Sequence, residues 1–450
     1  MRLPATYHEL FAAERRWLLA AAGGASFIAA TDVLLVATAL PSTARDLGGL
    51  DHYALVVGCY AAALAVGLPI GGTVVDRMGA WRSLAIGCLL FGCGGLTATL
   101  APSMDIITVS RLVQGFAAGL LFAVPLAVVA QQLPERLRKD AYGLNAAVWS
   151  FSALAGPVLG AVLTSAFSWR VAFLFPVLFI AFVAFAGWRG LRGDAARPAD
   201  PSASFHLLGP LLLGATVAVL LVEPRFAALP AVAFLLSEWR AREPVFPRSW
   251  AGRATVLLAG AAGVAFSGAD GLLPLGLQVG LGWSILLAVV PLICTTAAWT
   301  IGSIGSAQVS LSTQRQMLIG TGLVGIGVLL MGLRVLDGLP LAFGIVVAAL
   351  GMGIQSPAAL LSAAAERPGA EGRGTTSVPL ARSLGGGIGI ALAGAITVGI
   401  VGRTQLDQAE HADGAVPMIA DAVQHADVLL AVLCLLSLPL VMLLRRDSGR

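Results

Sequence analysis

Apolar residues in this chain gather into fourteen runs, and most polar residues fall in the loops between them. The runs are approximately 17–40, 53–75, 83–100, 104–130, 141–167, 171–188, 206–222, 226–236, 254–278, 285–306, 317–336, 339–365, 377–401 and 427–444. Most can cross ~30 Å of hydrocarbon as helix, at ~1.5 Å per residue. The run at 226–236 is short. Alternation of strand period at ~10-residue spacing is absent, which excludes an outer-membrane barrel. The pattern predicts an all-α integral membrane protein with 14 transmembrane helices.

Charge sets the orientation. With the N-terminus taken as cytoplasmic, 21 of the 28 basic residues lie on inside loops or termini. Arg45, Arg170, Arg225, Arg334 and Arg403 lie outside, and Arg111 and Arg382 fall within spans. This is the asymmetry of the positive-inside rule. It keeps the short eighth run as a span, because otherwise the alternation inverts after it. An even number of spans puts both termini in the cytoplasm, and Arg445 and Arg446 agree. Arg15, Arg16 and the first run resemble a secretory signal. Asp32 interrupts that run and no small-residue cleavage site stands out, so it reads as an uncleaved span.

The Arg-, Pro- and Ser-containing stretch after the sixth run divides the chain. It predicts an N-terminal six-helix bundle at 1–189, a cytoplasmic linker with two extra helices at 190–253, and a C-terminal six-helix bundle at 254–450. The last outside loop, 403–426, is acidic and reads as a solvated loop, with a short amphipathic helix as the alternative.

Composition narrows the class. The chain is 58% hydrophobic and 12% charged, against about 25% charge in an ordinary soluble domain. The net charge of +4 is dispersed over short loops and forms no nucleic-acid patch. All five cysteines lie in spans without a CxxC or Cys/His grouping, so neither a disulfide framework nor a metal site is expected. No nucleophile–base set or phosphate loop points to an enzyme.

Three blocks carry specific spacing. Gly72, Asp76, Arg77, Gly79 and Arg82 form a G-x3-D-R-x-G turn between the second and third runs, where Gly79 suits a positive φ. Arg111, Gln114, Gly115 and Gly119 share the fourth run, where the glycines make a small-xxx-small face. Gly143, Gly156, Pro157 and Gly160 occupy the fifth, where proline bends a helix and glycine admits a close neighbour.

These blocks resemble motifs A, B and C of the major facilitator superfamily, and motif C marks its drug:proton antiporter branch. Thr31-Asp32 through Leu40-Pro41 is similar to the opening signature of the 14-span antiporter family, with Leu34 where that signature has threonine. Arg240 to Pro244 and Ala381 to Gly389 resemble that family too. Motif A departs at Ala80 and Trp81, motif C at Ser152 and Ala161, and the 308–316 loop has no D-R-x-G echo. The resemblance implies two six-helix bundles plus two extra helices. It also implies that Asp76 faces the start of the helix carrying Arg382 and latches the outward-facing form.

Asp32 and Asp270 lie near the middle of the first spans of the two halves. Low dielectric favours the neutral form of a carboxyl, so such a group can load and release a proton near neutral pH. A structural ion pair is the other reading, and for Asp270 the two stand level. Arg111 lies at a depth similar to Asp32 and can hold it ionised. Asn145, Trp149, Gln278, Trp299, Gln355 and Arg382 are substrate-cavity candidates, and so sparse a polar set suits a hydrophobic or amphipathic solute. The expectation is a monomeric, multi-pass transporter of the bacterial cytoplasmic membrane, in contact with membrane lipids and with no cofactor. It exports such solutes by alternating access against H⁺, with Na⁺ as the other possible coupling ion. A dedicated exporter of a lipid, siderophore or self-made antibiotic would be built on the same fold, and a non-transporting membrane scaffold or sensor is the alternative from another class.

Overall fold

The computed structural model describes residues 11–12, 15–191, 249–309, 311–333, 339–365, 371–402 and 416–444, with isolated residues between 211 and 237. Twelve long helices account for nearly all of these residues. They are α1 (Arg16–Leu47), α2 (Tyr53–Met78), α3 (Ala80–Thr99), α4 (Met104–Gln132), α5 (Glu135–Ala166) and α6 (Trp169–Leu191), then α7 (Trp250–Leu275), α8 (Ile285–Gln308), α9 (Thr313–Met331), α10 (Leu339–Ala365), α11 (Glu371–Val401) and α12 (Pro417–Leu436). All twelve supply stretches long and apolar enough to cross a membrane. Helix is the required form here, since hydrocarbon offers no partner to a free N–H or C=O. The two extra spans predicted at 206–222 and 226–236 lie almost wholly outside the described residues.

The boundary that departs furthest from the sequence reading is the start of the last span. The last span was expected at 427–444, after an acidic loop, but its helix begins at Pro417 and a 3₁₀ turn, Leu438–Leu443, follows it. Asp421, Gln424 and His425 lower the hydropathy of the first turns, yet Ile419, Ala420, Ala422, Val423 and Ala426 are buried there. Asp427 therefore sits inside the helix and not at its mouth.

The chain forms two compact units, Met1–Thr43 with Ala63–Pro210, and Ala44–Ala62 with Leu211–Arg450. Within the first, α3 packs on α4 and α6; within the second, α9 packs on α10 and α12. The closest helix approaches also correspond. Gly119 of α4 lies against Gly67 of α2, as Gly353 of α10 lies against Gly302 of α8. Gly156 and Gly160 bring α5 onto Thr31 and Leu35 of α1, as Gly385 and Gly389 bring α11 onto Gly260 and Val264 of α7. Each unit thus repeats one six-helix plan.

Motif C acts in this packing. A methyl group on Gly156 would come 2.8 Å from the Thr31 carbonyl, and one on Gly160 would come 2.5 Å from that of Leu35. Backbone cannot yield as a side chain can, so these positions set the α1–α5 distance. Gly160→Ala is expected to cost about 1–3 kcal/mol through overpacking. Gly399→Ala, where nothing lies within 4 Å, should be neutral. Thermal melts of the detergent-solubilised variants, followed by size-exclusion chromatography, check both.

Candidate functional site

Charge enters the interior of the first unit through α1 and α4. Asp32 is 0% exposed and Arg111 3%. Arg111 Nη1 donates to Asp32 Oδ2 at 2.6 Å and to Gln114 Oε1, one turn further along α4, at 3.0 Å. The shared depth read from the sequence is thus a direct ion pair. Charge-assisted contacts of this length are strong, and the desolvation both ions suffer makes the pair costly to break. Satisfaction is incomplete: Asp32 Oδ1, Thr31 Oγ1 and Gln114 Nε2 find no partner among the described residues. Gln114 lies against Gly94 and Gly95 of α3, where a methyl group on Gly94 would meet its Cγ at 2.8 Å. That glycine pair was missed in the sequence, where the only signal was two adjacent glycines within a span.

The other motif positions are spread over α2 to α5 and the turn between α2 and α3. Gly115 is buried in α4 and Pro157 in α5. The hydroxyl of Ser26, two turns before Asp32 on α1, donates to Asn145 Oδ1 on α5. Trp149 meets Phe122 edge-on at 5.2 Å. Gly79 caps α3 at φ 84°, the positive φ expected of the motif A turn, and its N–H closes back onto the Val75 carbonyl. Arg77 and Arg82 flank it, both exposed. Gly72, Asp76 and Gly143 lie in helices, but their surroundings are outside the described set.

The second unit holds its charge differently. Asp270 of α7 is partly buried, and its Oδ1 has no partner among the described residues. The buried Tyr53, at the start of α2, lies within its electrostatic reach. Beyond Asp270 the helix widens into a π turn, Gly276–Gly280, closed by Leu281 N–H to the Gly276 carbonyl at 3.0 Å. Gln278 is buried in that turn, and its carbonyl accepts from Arg45 Nη2 at 3.4 Å. Trp299 packs edge-on against Phe266 at 5.4 Å.

Gln355, 0% exposed, ties four helices together. Its Nε2 donates to the Leu258 carbonyl of α7 at 3.2 Å and to Thr321 Oγ1 of α9 at 2.8 Å, while its Oε1 accepts from Arg382 Nη2 of α11 at 3.3 Å. Arg382 Nε has no partner among the described residues. The sequence proposed Gln355 and Arg382 separately, and the fold brings them into contact. Asp427 went unrecognised because it sat at the edge of its predicted span. Among the described residues, no three His, Cys, Asp or Glu side chains come together.

Comparison with known proteins gives this geometry a context. A probable multidrug-efflux transporter of Mycobacterium tuberculosis is 31% identical over 245 residues, which cover 51% of this chain and 52% of that protein. Multidrug resistance protein 3 of Bacillus subtilis is 32% identical over 146 residues, 32% of this chain and 28% of that one. The chain thus matches about half the length of the first and less of the second. A crystal structure of a bacterial homolog of the human lysosomal transporter Spinster, inward-facing and unoccupied, superposes with a TM-score of 0.68. It covers 96% of this chain and 97% of that one at 17% identity, and so shows the fold alone. The sequence profile of the Major Facilitator Superfamily matches residues 22–393. With twelve membrane-length helices among the described residues, in two units of one repeated plan, this chain is a multi-pass membrane protein and belongs to the Major Facilitator Superfamily.

Proposed function

We propose that this chain is a proton-driven antiporter that exports hydrophobic or amphipathic compounds by alternating access, in the 14-span drug:proton branch of the superfamily. The observation that carries the reading is the buried Asp32–Arg111–Gln114 network. The multidrug-efflux relatives support the substrate class. The apolar runs at 206–222 and 226–236 support the extra helices, and the distribution of arginine supports cytoplasmic termini in a bacterial inner membrane.

The network supplies a mechanism. With Asp32 ionised, Arg111 is neutralised and α1 is clamped to α4. A proton arriving on Asp32 removes the anion, releases the guanidinium and frees the two helices to move apart. Asp32 Oδ1, which has no partner among the described residues, is the natural point of entry, since protonation there costs no bond seen there. Asp270 is the second coupling carboxyl of this scheme, with its Oδ1 unbonded among the described residues. Each proton crossing ~100 mV supplies roughly 2.3 kcal/mol, enough for a concentration ratio of about fifty.

Ethidium efflux from a pump-deficient bacterial host tests the proposal. Efflux should be abolished by a protonophore and fall at least about tenfold in Asp32→Asn at matched expression. Protection against one compound alone would identify a dedicated exporter, and protonophore-resistant efflux would reject proton coupling. Stability separates coupling from packing. Asp32→Asn leaves Arg111 buried without its countercharge, at a cost of about 3–5 kcal/mol. Asp32→Asn with Arg111→Gln removes both charges and should recover most of the melting temperature while staying inactive. A double variant that pumps like the wild type would sink the mechanism.

A further inference from the structure

Asp427 has no role in the scheme above, yet it is among the most enclosed carboxyls of the chain. It lies ten residues after Pro417, ~15 Å along α12. Its side chain is 1% exposed, and neither Oδ1 nor Oδ2 has a hydrogen-bond partner among the described residues. It belongs to a buried stripe with Ala420, Val423, Leu430, Ala431 and Cys434. That stripe packs on α7, α9 and α11. Val423 sits beside Gly276 and Leu430 beside Gly268, so Asp427 lies along the stretch of α7 that carries Asp270.

Among the described residues, no charged group pairs with it. The titratable groups on the elements packed against α12 are Arg253 and Asp270 on α7, Arg315 on α9, and Glu371, Arg373 and Arg382 on α11; the π turn and the 3₁₀ turn carry none. On α12 itself they are Asp421, His425 and Cys434. No ion pair or hydrogen bond joins any described one of these to Asp427. Arg253 stacks on Trp250, Arg382 is bound to Gln355, and Cys434 donates to the Thr321 carbonyl. Asp270, on the opposing stretch, would add like charge. An ionised carboxylate with neither countercharge nor donor is far costlier to bury than a neutral acid. Even the acid forgoes a hydrogen bond, which packing alone would not require.

We propose that Asp427 is a proton-binding site of the second unit: it holds a proton in this conformation and releases it to water when α12 parts from α7 and α9. The inference rests on the antiport reading and adds a carboxyl to it. In the step, the O–H bond of the acid breaks, the proton passes to an entering water, and the carboxylate stays on α12.

Infrared spectroscopy of the purified full chain in H₂O and D₂O tests it without any substrate. The wild type at neutral pH should show the C=O stretch of a protonated carboxyl that is absent from Asp427→Asn, displaced in Asp427→Glu, and reversibly lost as pH rises. Asp427→Glu keeps the test usable if the asparagine variant fails to fold. A wild-type spectrum that neither substitution alters in this region, or a band that does not titrate, overturns the proposal. Ethidium efflux indifferent to a protonophore would instead overturn the antiport reading, and the infrared band would report on the site independently.

Discussion

Hydrocarbon gives a polar group nothing to bond with, so each charge within these helices must be met by the protein or be neutral. The two units meet that constraint in opposite ways. The first joins Asp32 to Arg111 at 2.6 Å and anchors the arginine a second time on Gln114. Among the described residues, the second joins neither Asp270 Oδ1 nor Asp427 to a cation, while its partly buried Arg382 is held by the neutral Gln355. One fold plan, used twice, thus carries a closed pair of charges in one copy and separated ones in the other. A closed pair resists change until a proton cancels one partner. Separated groups can change charge without breaking a bond.

The helix packing serves this division. Glycines at the α1–α5 approach let backbone touch backbone, which fixes the height of Asp32. Gly94 and Gly95 on α3 do the same for Gln114 by leaving room for its side chain. Polar side chains are sparse, so their positions depend on where the small residues allow helices to meet.

The sequence made the main architecture legible because membrane helices announce themselves by length and charge by its side. Twelve of the fourteen expected spans coincide with helices, and the remaining two fall almost wholly outside the described residues. The pairing of Asp32 with Arg111 was also readable, since two opposite charges at one depth in hydrocarbon have few alternatives. The Gln355 contacts were not, because hydrogen bonds to Leu258, Thr321 and Arg382 join positions with no common spacing. Asp427 was obscured by hydropathy. Asp421, Gln424 and His425 made the first turns of α12 look like loop, which put the carboxyl at the first position of the expected span instead of inside the helix. Gly94 and Gly95 looked like ordinary span glycines until the side chain they accommodate was in place.

The π turn that ends α7 gives that helix a degree of freedom the others lack. Its ring from Leu281 to Gly276 encloses one residue more than an α-helical turn. If that surplus residue is passed along the chain, the total number of backbone hydrogen bonds is kept and every side chain it passes swings about the axis by roughly 100°. Gln278 stands inside the ring and Asp270 shortly before it. Such a shift would re-aim the polar groups of α7 while leaving the glycine contacts near Gly260 and Val264 in place.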